Sequence, residues 1–189
     1  TISDVKEDVR IEIINNLRKL PNMLSSQLNY DDGSISKATN LIKDSKNVFF
    51  LGKGRFMSKL AQEGALKMME VTYIPCLAYP SGELKHGPIA LIEKGTPVIA
   101  IAPADSNLSL MEANLRECKS RGAKIIVITD HDGTIAQIAD VVISTPSVNE
   151  ILLPFVNIIP LQLLAYYVGV SRNINVDQPR NLAKSVTVI

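Results

Sequence analysis

Asn47-Val48-Phe49-Phe50-Leu51 is an apolar run without alternation, and it stops at Gly52. A strand with one wet face alternates polar and apolar residues; an unbroken run suits a strand covered on both faces of a parallel sheet. Further strands are predicted at Tyr73–Tyr79, Pro97–Ala102, Lys124–Thr129 and Asp140–Ser144. Helical patterns separate them. One runs from about Phe56 to Glu70. A second carries Leu108, Met111, Leu115 and Cys118 on one face, with Gly122 as its stop, and a short third lies near Ile135. Strand and helix in alternation predict an α/β fold, a five-stranded parallel sheet with helices on both sides. Right-handed crossovers favour the flavodoxin-like strand order 2-1-3-4-5.

The flanks are helical. Over residues 4–28, Val9, Ile13, Leu17, Leu20 and Leu24 share one face, and Pro21 is expected to kink or restart that helix. Asp32-Gly33-Ser34 is a turn with Ser34 as the expected N-cap of a second helix. The chain thus divides into an N-terminal helical segment (1–45), the α/β domain (46–175) and a C-terminal tail (176–189). Ile151–Val170 is 20 residues without a formal charge, long enough for a membrane span. Pro154, Asn157, Pro160 and Gln162 within it, and the α/β pattern around it, favour a buried helix, part of it facing another domain or subunit.

Bulk properties narrow the function. Of 189 residues 46% are hydrophobic and 21% charged, as in folded globular chains. Twenty Lys and Arg against nineteen Asp and Glu give a net charge of +1, which supplies no electrostatic reason to expect nucleic acid or an anionic membrane as partner. Cys76 and Cys118 are expected to be buried free thiols in a reducing, cytoplasmic setting. With His86 and His131 the only histidines and no CxxC, no zinc ligand set assembles. The sequence opens Thr1-Ile2-Ser3-Asp4, without Met or a signal-peptide pattern, so an excised piece of a longer chain is expected.

Carboxyl ends of parallel strands are the usual ligand positions, which draws attention to Gly52-Lys53-Gly54-Arg55, the segment after Tyr79 and the loop from Pro103. Gly52-Lys53-Gly54 reads as a tight turn rather than a dinucleotide fingerprint, because the third glycine position is Met57. Thr129-Asp130-His131-Asp132-Gly133 likewise reads as a turn. Glu63, Lys67 and Glu70 lie four and three apart on one helix face. That is either a solvated ion-pair ladder or a carboxylate base held ionised by Lys67. In Ser81-Gly82-Glu83-Leu84-Lys85-His86-Gly87-Pro88, Pro88 suits a helix first turn. His86 would then sit at the positive end of that helix, which disfavours an imidazolium; a polar loop histidine is the plainer alternative. The segment from Val176 has too much turn chemistry and β-branched alternation for a frayed end. In it Lys184 faces either solvent or a site, as an amine nucleophile or charge partner.

Four ordered stretches carry a resemblance over nearly the whole chain: Glu63-Gly64-Ala65-Leu66-Lys67-Met68-Met69-Glu70, Gly82-Glu83-Leu84-Lys85-His86-Gly87-Pro88, Pro160-Leu161-Gln162-Leu163-Leu164-Ala165-Tyr166, and Val176-Asp177-Gln178-Pro179-Arg180-Asn181-Leu182-Ala183-Lys184. Together they resemble the C-terminal sugar isomerase (SIS) domains of the glucosamine-6-phosphate synthase family. The resemblance implies a homodimeric enzyme that takes ammonia from glutamine in a glutaminase domain. It passes the ammonia to fructose 6-phosphate held by two SIS domains, forming glucosamine 6-phosphate. It also implies roles. Glu70 matches the base acting between C1 and C2, with Lys67 beside it. His86 matches the ring-opening residue given to the neighbouring subunit's site, Lys184 the imine-forming tail lysine, and Ala183 a backbone contact to the sugar. Such chemistry needs a carboxylate, an imidazole and an amine, and no metal or organic cofactor.

The sequence departs from the family in having no glutaminase domain, no first SIS domain and no Ser-x-Ser-Gly-x-Thr phosphate loop; Pro103-Ala104-Asp105-Ser106-Asn107 is no substitute. The 189-residue chain alone is therefore expected to bind sugar phosphate weakly and not to turn over. Two rivals stand beside this reading. A non-catalytic SIS module that senses a sugar phosphate would not need Glu70, His86 and Lys184 together. A purely structural dimerisation domain would leave the polar motifs unexplained.

Overall fold

The computed structural model describes residues 6–29 and 32–182. Strands β1 (Val48–Gly52), β2 (Cys76–Pro80), β3 (Pro97–Ile101), β4 (Lys124–Thr129) and β5 (Val141–Ser144) form one parallel sheet in the order β2-β1-β3-β4-β5. Every residue of β1 and β3 is buried, as the unbroken apolar runs require. Period-two side chains divide β1 between two cores. Val48 and Phe50 face one formed with helices α2 (Ser34–Ile42), α3 (Gly54–Thr72) and α6 (Leu153–Ser171); Phe49 and Leu51 face the other, formed with α4 (Leu108–Ser120) and α5 (Thr134–Ile138). The crossover from β2 to β3 lies on this second face. It is made of two short 3-10 segments, Ser81–His86 and Pro88–Leu91, with Leu84 as the buried anchor.

Helix α1 (Glu7–Asn29) runs on through Pro21 as one element, so the expected restart does not occur. It lies against α6. Pro160, inside α6, has no N–H for the carbonyl four residues back, Val156. Gln27 of α1 donates its side-chain amide to that carbonyl at 2.9 Å. The N-cap of α2 is Gly33, with φ 76, and not Ser34. The Asp32 carboxylate accepts the Ser34 N–H at 2.8 Å. The Ser34 hydroxyl bond is the main cause holding Asp32 below the ordinary carboxylate range, against a smaller opposing effect of burial. An acidic residue two places earlier thus takes the capping role assigned to the serine.

Helix α6 satisfies the length and apolarity of a span, yet half of it is buried in the domain. Leu153, Val156, Leu161, Leu164 and Val168 face the core, while Phe155, Tyr166, Tyr167 and Val170 remain nearly half exposed. Its crossing with α3 is close. A Cβ on Gly64 would stand 2.9 Å from Leu161 Cδ2, and one on Gly169 2.9 Å from the Val71 carbonyl oxygen.

Candidate active site

The last turns of α3 carry the clearest constellation. Gly64, Ala65 and Met68 are buried, which turns Glu63, Lys67 and Glu70 to the outer face of the helix. Lys67 Nζ is 2.9 Å from one Glu70 carboxylate oxygen and 3.7 Å from Glu63. The bond to Glu70 is the main cause raising Lys67 above its ordinary range; burial opposes it, and the charges of Glu70 and Glu63 add to it. Glu70 is the more covered partner, its side chain 22% exposed against 36% for Lys67. The pair is a half-buried carboxylate with an ammonium fixed at its side, and one oxygen left for another partner.

Helix α3 ends just beyond. Tyr73, expected to open β2, is instead the helix C-cap in the left-handed region at φ 59, and its N–H reaches the Met69 carbonyl. The strand begins at Cys76 because Pro75 breaks the helix and no glycine is present to end it, so the tyrosine takes the glycine-like conformation. The Val48 N–H meets the Pro75 carbonyl at 3.1 Å. Glu70 therefore lies toward the amino edge of the sheet, not the carboxyl edge where ligands were expected.

At the carboxyl edge, the Gly52–Gly54 turn is tight. A Cβ on Gly52 would lie 2.0 Å from the Met57 carbonyl oxygen, and Gly54 has φ 78. The crevice between β1 and β3, lined by Lys53, Ala102, Asp105 and Asn107 among others, holds only about 10 Å³. A cavity of about 560 Å³ lies between α1, α2, α6 and the end of β5 and is lined by none of the candidate catalytic residues.

His86 is exposed and ends the first 3-10 segment of the β2–β3 crossover. Leu84 beside it is buried in the core of the second face, and Ser81 accepts a bond from Asn114 at 2.9 Å. The Pro88 turn is four residues of 3-10 helix, too short for the dipole assigned to it from the sequence. α3 packs on the first face, so the sheet stands between His86 and Glu70. The structure brings Lys67 and Glu70 together and keeps His86 apart from them within one chain.

The tail returns toward Glu70. Arg172, just past α6, donates to the Thr72 carbonyl at 3.1 Å and also to the Lys43 carbonyl, joining the ends of α2 and α3. Val176 packs on Gly169. The Arg180 N–H meets the Tyr73 hydroxyl at 2.8 Å, and its guanidinium carbon lies 4.2 Å from the centroid of that ring. Ala183 and Lys184 lie outside the described residues. Sequence reasoning missed Tyr73 and Arg172; Pro75, three residues after Thr72, was the available signal that α3 needed a cap there.

The remaining candidates hold no site. Asp130 accepts the Ala104 N–H at 2.7 Å and the His131 N–H bonds Thr129, so this segment is a turn. Among the described residues no group of three or more His, Cys, Asp or Glu side chains gathers as metal ligands. Cys76 and Cys118 are free. Burial pushes their thiols up to about 12 and about 11, far from the thiolate a nucleophile needs.

Comparison with known proteins places this architecture. The chain is 44% identical over 181 residues to the glutamine–fructose-6-phosphate aminotransferase (isomerizing) of Pseudomonas putida, covering 95% of this chain and 29% of that protein. The enzyme of the same name from Thermococcus kodakarensis is 40% identical, with 99% and 31% covered. The chain thus spans about 30% of the length of these relatives. In structure it resembles the C-terminal domain of glucosamine-fructose-6-phosphate aminotransferase from Francisella tularensis, with a TM-score of 0.82 and 32% identity, covering 93% of this chain and 49% of that one. A model of the SIS domain matches residues 41–172, which takes in all five strands and helices α3 to α6: the chain belongs to the SIS domain family.

Proposed function

We propose that this chain is the isomerase portion of a glutamine–fructose-6-phosphate aminotransferase. The observation that carries the reading is the Lys67–Glu70 pair lying at the end of α3 over which the C-terminal tail is fastened. The identities to relatives bearing that name support it. The partners are fructose 6-phosphate, glucosamine 6-phosphate, the glutaminase and first SIS domains of a longer chain, and a second copy in a cytoplasmic homodimer.

In this reading the imidazole of His86 transfers the proton that opens the sugar ring, in the site of the neighbouring subunit. Lys184 condenses with the C2 carbonyl, forming an imine and releasing water, and ammonia displaces the lysine amine. Ala183 offers its backbone to the sugar. Glu70, oriented by Lys67, removes a proton from C1 and returns one to C2. The imine nitrogen gains a proton and the C1 hydroxyl gives one up, so the hydrogen count is unchanged and the product is the 2-amino aldose.

Glu70→Gln in the full-length enzyme is the test. Isomerisation falls about 10²- to 10⁴-fold, the usual contribution of a positioned acid–base group. Glutamine hydrolysis and the dimer are retained. Wild-type rates of glucosamine 6-phosphate formation in that variant would overturn the assignment.

A further inference from the structure

The fastening of the tail on Tyr73 goes beyond the motif residues. Tyr73 follows Glu70 by three positions and caps the same helix. Its backbone is held at φ 59, and its ring and hydroxyl meet two different parts of Arg180, the guanidinium and the backbone N–H. A two-point contact of this kind fixes both position and direction of the chain, which a single surface ion pair does not. Asn181 then takes φ 59, a left-handed turn that asparagine tolerates better than most residues. Two further ties lead up to it, Arg172 on the Thr72 carbonyl and Val176 on Gly169 beside Val71. From residue 172 to 181 the chain is thus secured across the end of the helix that bears Glu70.

We propose that Tyr73 and Arg180 are positioning residues for the reaction: together they aim the tail so that Lys184 is delivered to the sugar held against Glu70. The proposal rests on the imine role given to Lys184 above. Lys184 follows Arg180 by four positions, a reach of at most about 14 Å. Glu70 lies about 4.5 Å of helix rise before Tyr73. A tail released at Tyr73 loses this confinement, and an amine held in near-attack geometry loses rate steeply with small displacements.

The test uses the full-length aminotransferase and borohydride reduction in the presence of fructose 6-phosphate, which traps an imine on Lys184 as a stable amine. In the wild type an adduct maps to Lys184; its absence there overturns the role of Lys184 itself. With the adduct present, Tyr73→Leu, which removes ring and hydroxyl, is expected to slow trapping and amino-sugar formation together by about 10- to 100-fold. Tyr73→Phe and Arg180→Ala, which each remove one contact, lie between. Arg180→Lys, which restores a cation over the ring, recovers part of the loss. Glutamine hydrolysis without sugar and the thermal midpoint stay at wild-type values in Tyr73→Phe and Arg180→Ala. Wild-type trapping rates in both of these variants overturn the positioning proposal while leaving Lys184 in place, and they decide the matter even if Tyr73→Leu does not fold.

Discussion

Gln27 donates its side-chain amide to the carbonyl of Val156, the group that Pro160 leaves without a helical donor. A backbone irregularity in the core helix is thereby converted into the attachment point of α1. Gln27→Leu removes the donor and strands the carbonyl, a cost of about 1–3 kcal/mol. Pro160→Ala returns the N–H and should make the Gln27 substitution nearly neutral. Chemical denaturation of the two single variants and the double variant measures the coupling; additive losses would show that the two residues do not act through one carbonyl.

Asp140 joins the starts of β4 and β5. Its carboxylate accepts the Ile125 N–H at 2.8 Å and meets Lys119 and Lys124, while its own N–H bonds the Ile125 carbonyl at 2.7 Å. Burial pushes the group up, but the bonds from Lys119, the Ile125 amide and Lys124 together outweigh it and hold the carboxyl below its ordinary 3.8. The lysines are more than two-fifths exposed, so their pairs contribute little and the covered amide bond dominates. Since the folded state binds the proton less readily than the unfolded, this contribution is complete above about pH 4. It is lost as pH falls through the depressed value. Asp140→Ala is expected to cost about 1.5–3 kcal/mol at pH 7, and to lower acid sensitivity below pH 4; equal acid sensitivity in the variant and the parent would count against this.

The two close glycines of the α3–α6 crossing differ in what surrounds them. At Gly64 an added methyl meets the ends of Leu161 and the ring of Phe50; at Gly169 it meets the Val176 side chain and also the backbone oxygen of Val71. Side-chain ends yield and backbone does not. Gly169→Ala is expected to cost about 1–3 kcal/mol from overpacking. Gly64→Ala, whose methyl meets only side-chain ends, is expected to cost less, since up to about 1 kcal/mol of better helix propensity is gained at either site. Thermal midpoints ranked the other way round would contradict the geometry.

Cys76 and Cys118, with thiols raised by burial, should resist a disulfide reagent at pH 8 in the folded protein and react within seconds in denaturant. Rapid stoichiometric labelling of the native chain would argue that one of them is reachable.

Much of the sheet was legible because parallel strands covered on both faces leave nothing to alternate: β4 spans the residues its apolar run marks, β3 ends one residue earlier, and β1 is shifted by one residue. The start of β2 was misplaced because Tyr73 and Ile74 have strand-forming side chains, while the need to end α3 before Pro75 is a demand of the backbone. At Asp32-Gly33-Ser34 three residues each suit a cap, and only geometry selects among them. Helical spacing was enough to place Lys67 beside Glu70. It gave no means of learning that this pair sits at the amino edge, since a general rule about ligand positions pointed to the other. Contacts such as Arg180 with Tyr73, 107 residues apart, or Gln27 with Val156, 129 apart, leave no periodic trace in a single sequence.

The sheet between Glu70 and His86 bears on more than geometry. On the proposed assignment no single polypeptide gathers its reacting groups into one site, so the specific activity becomes a function of protein concentration. Dilution below the dissociation constant of the pair silences the isomerase while every chain remains folded. Mixing an Glu70→Gln protein with a His86→Ala protein restores activity to a fraction of the sites, because one kind of hybrid site inherits both intact residues.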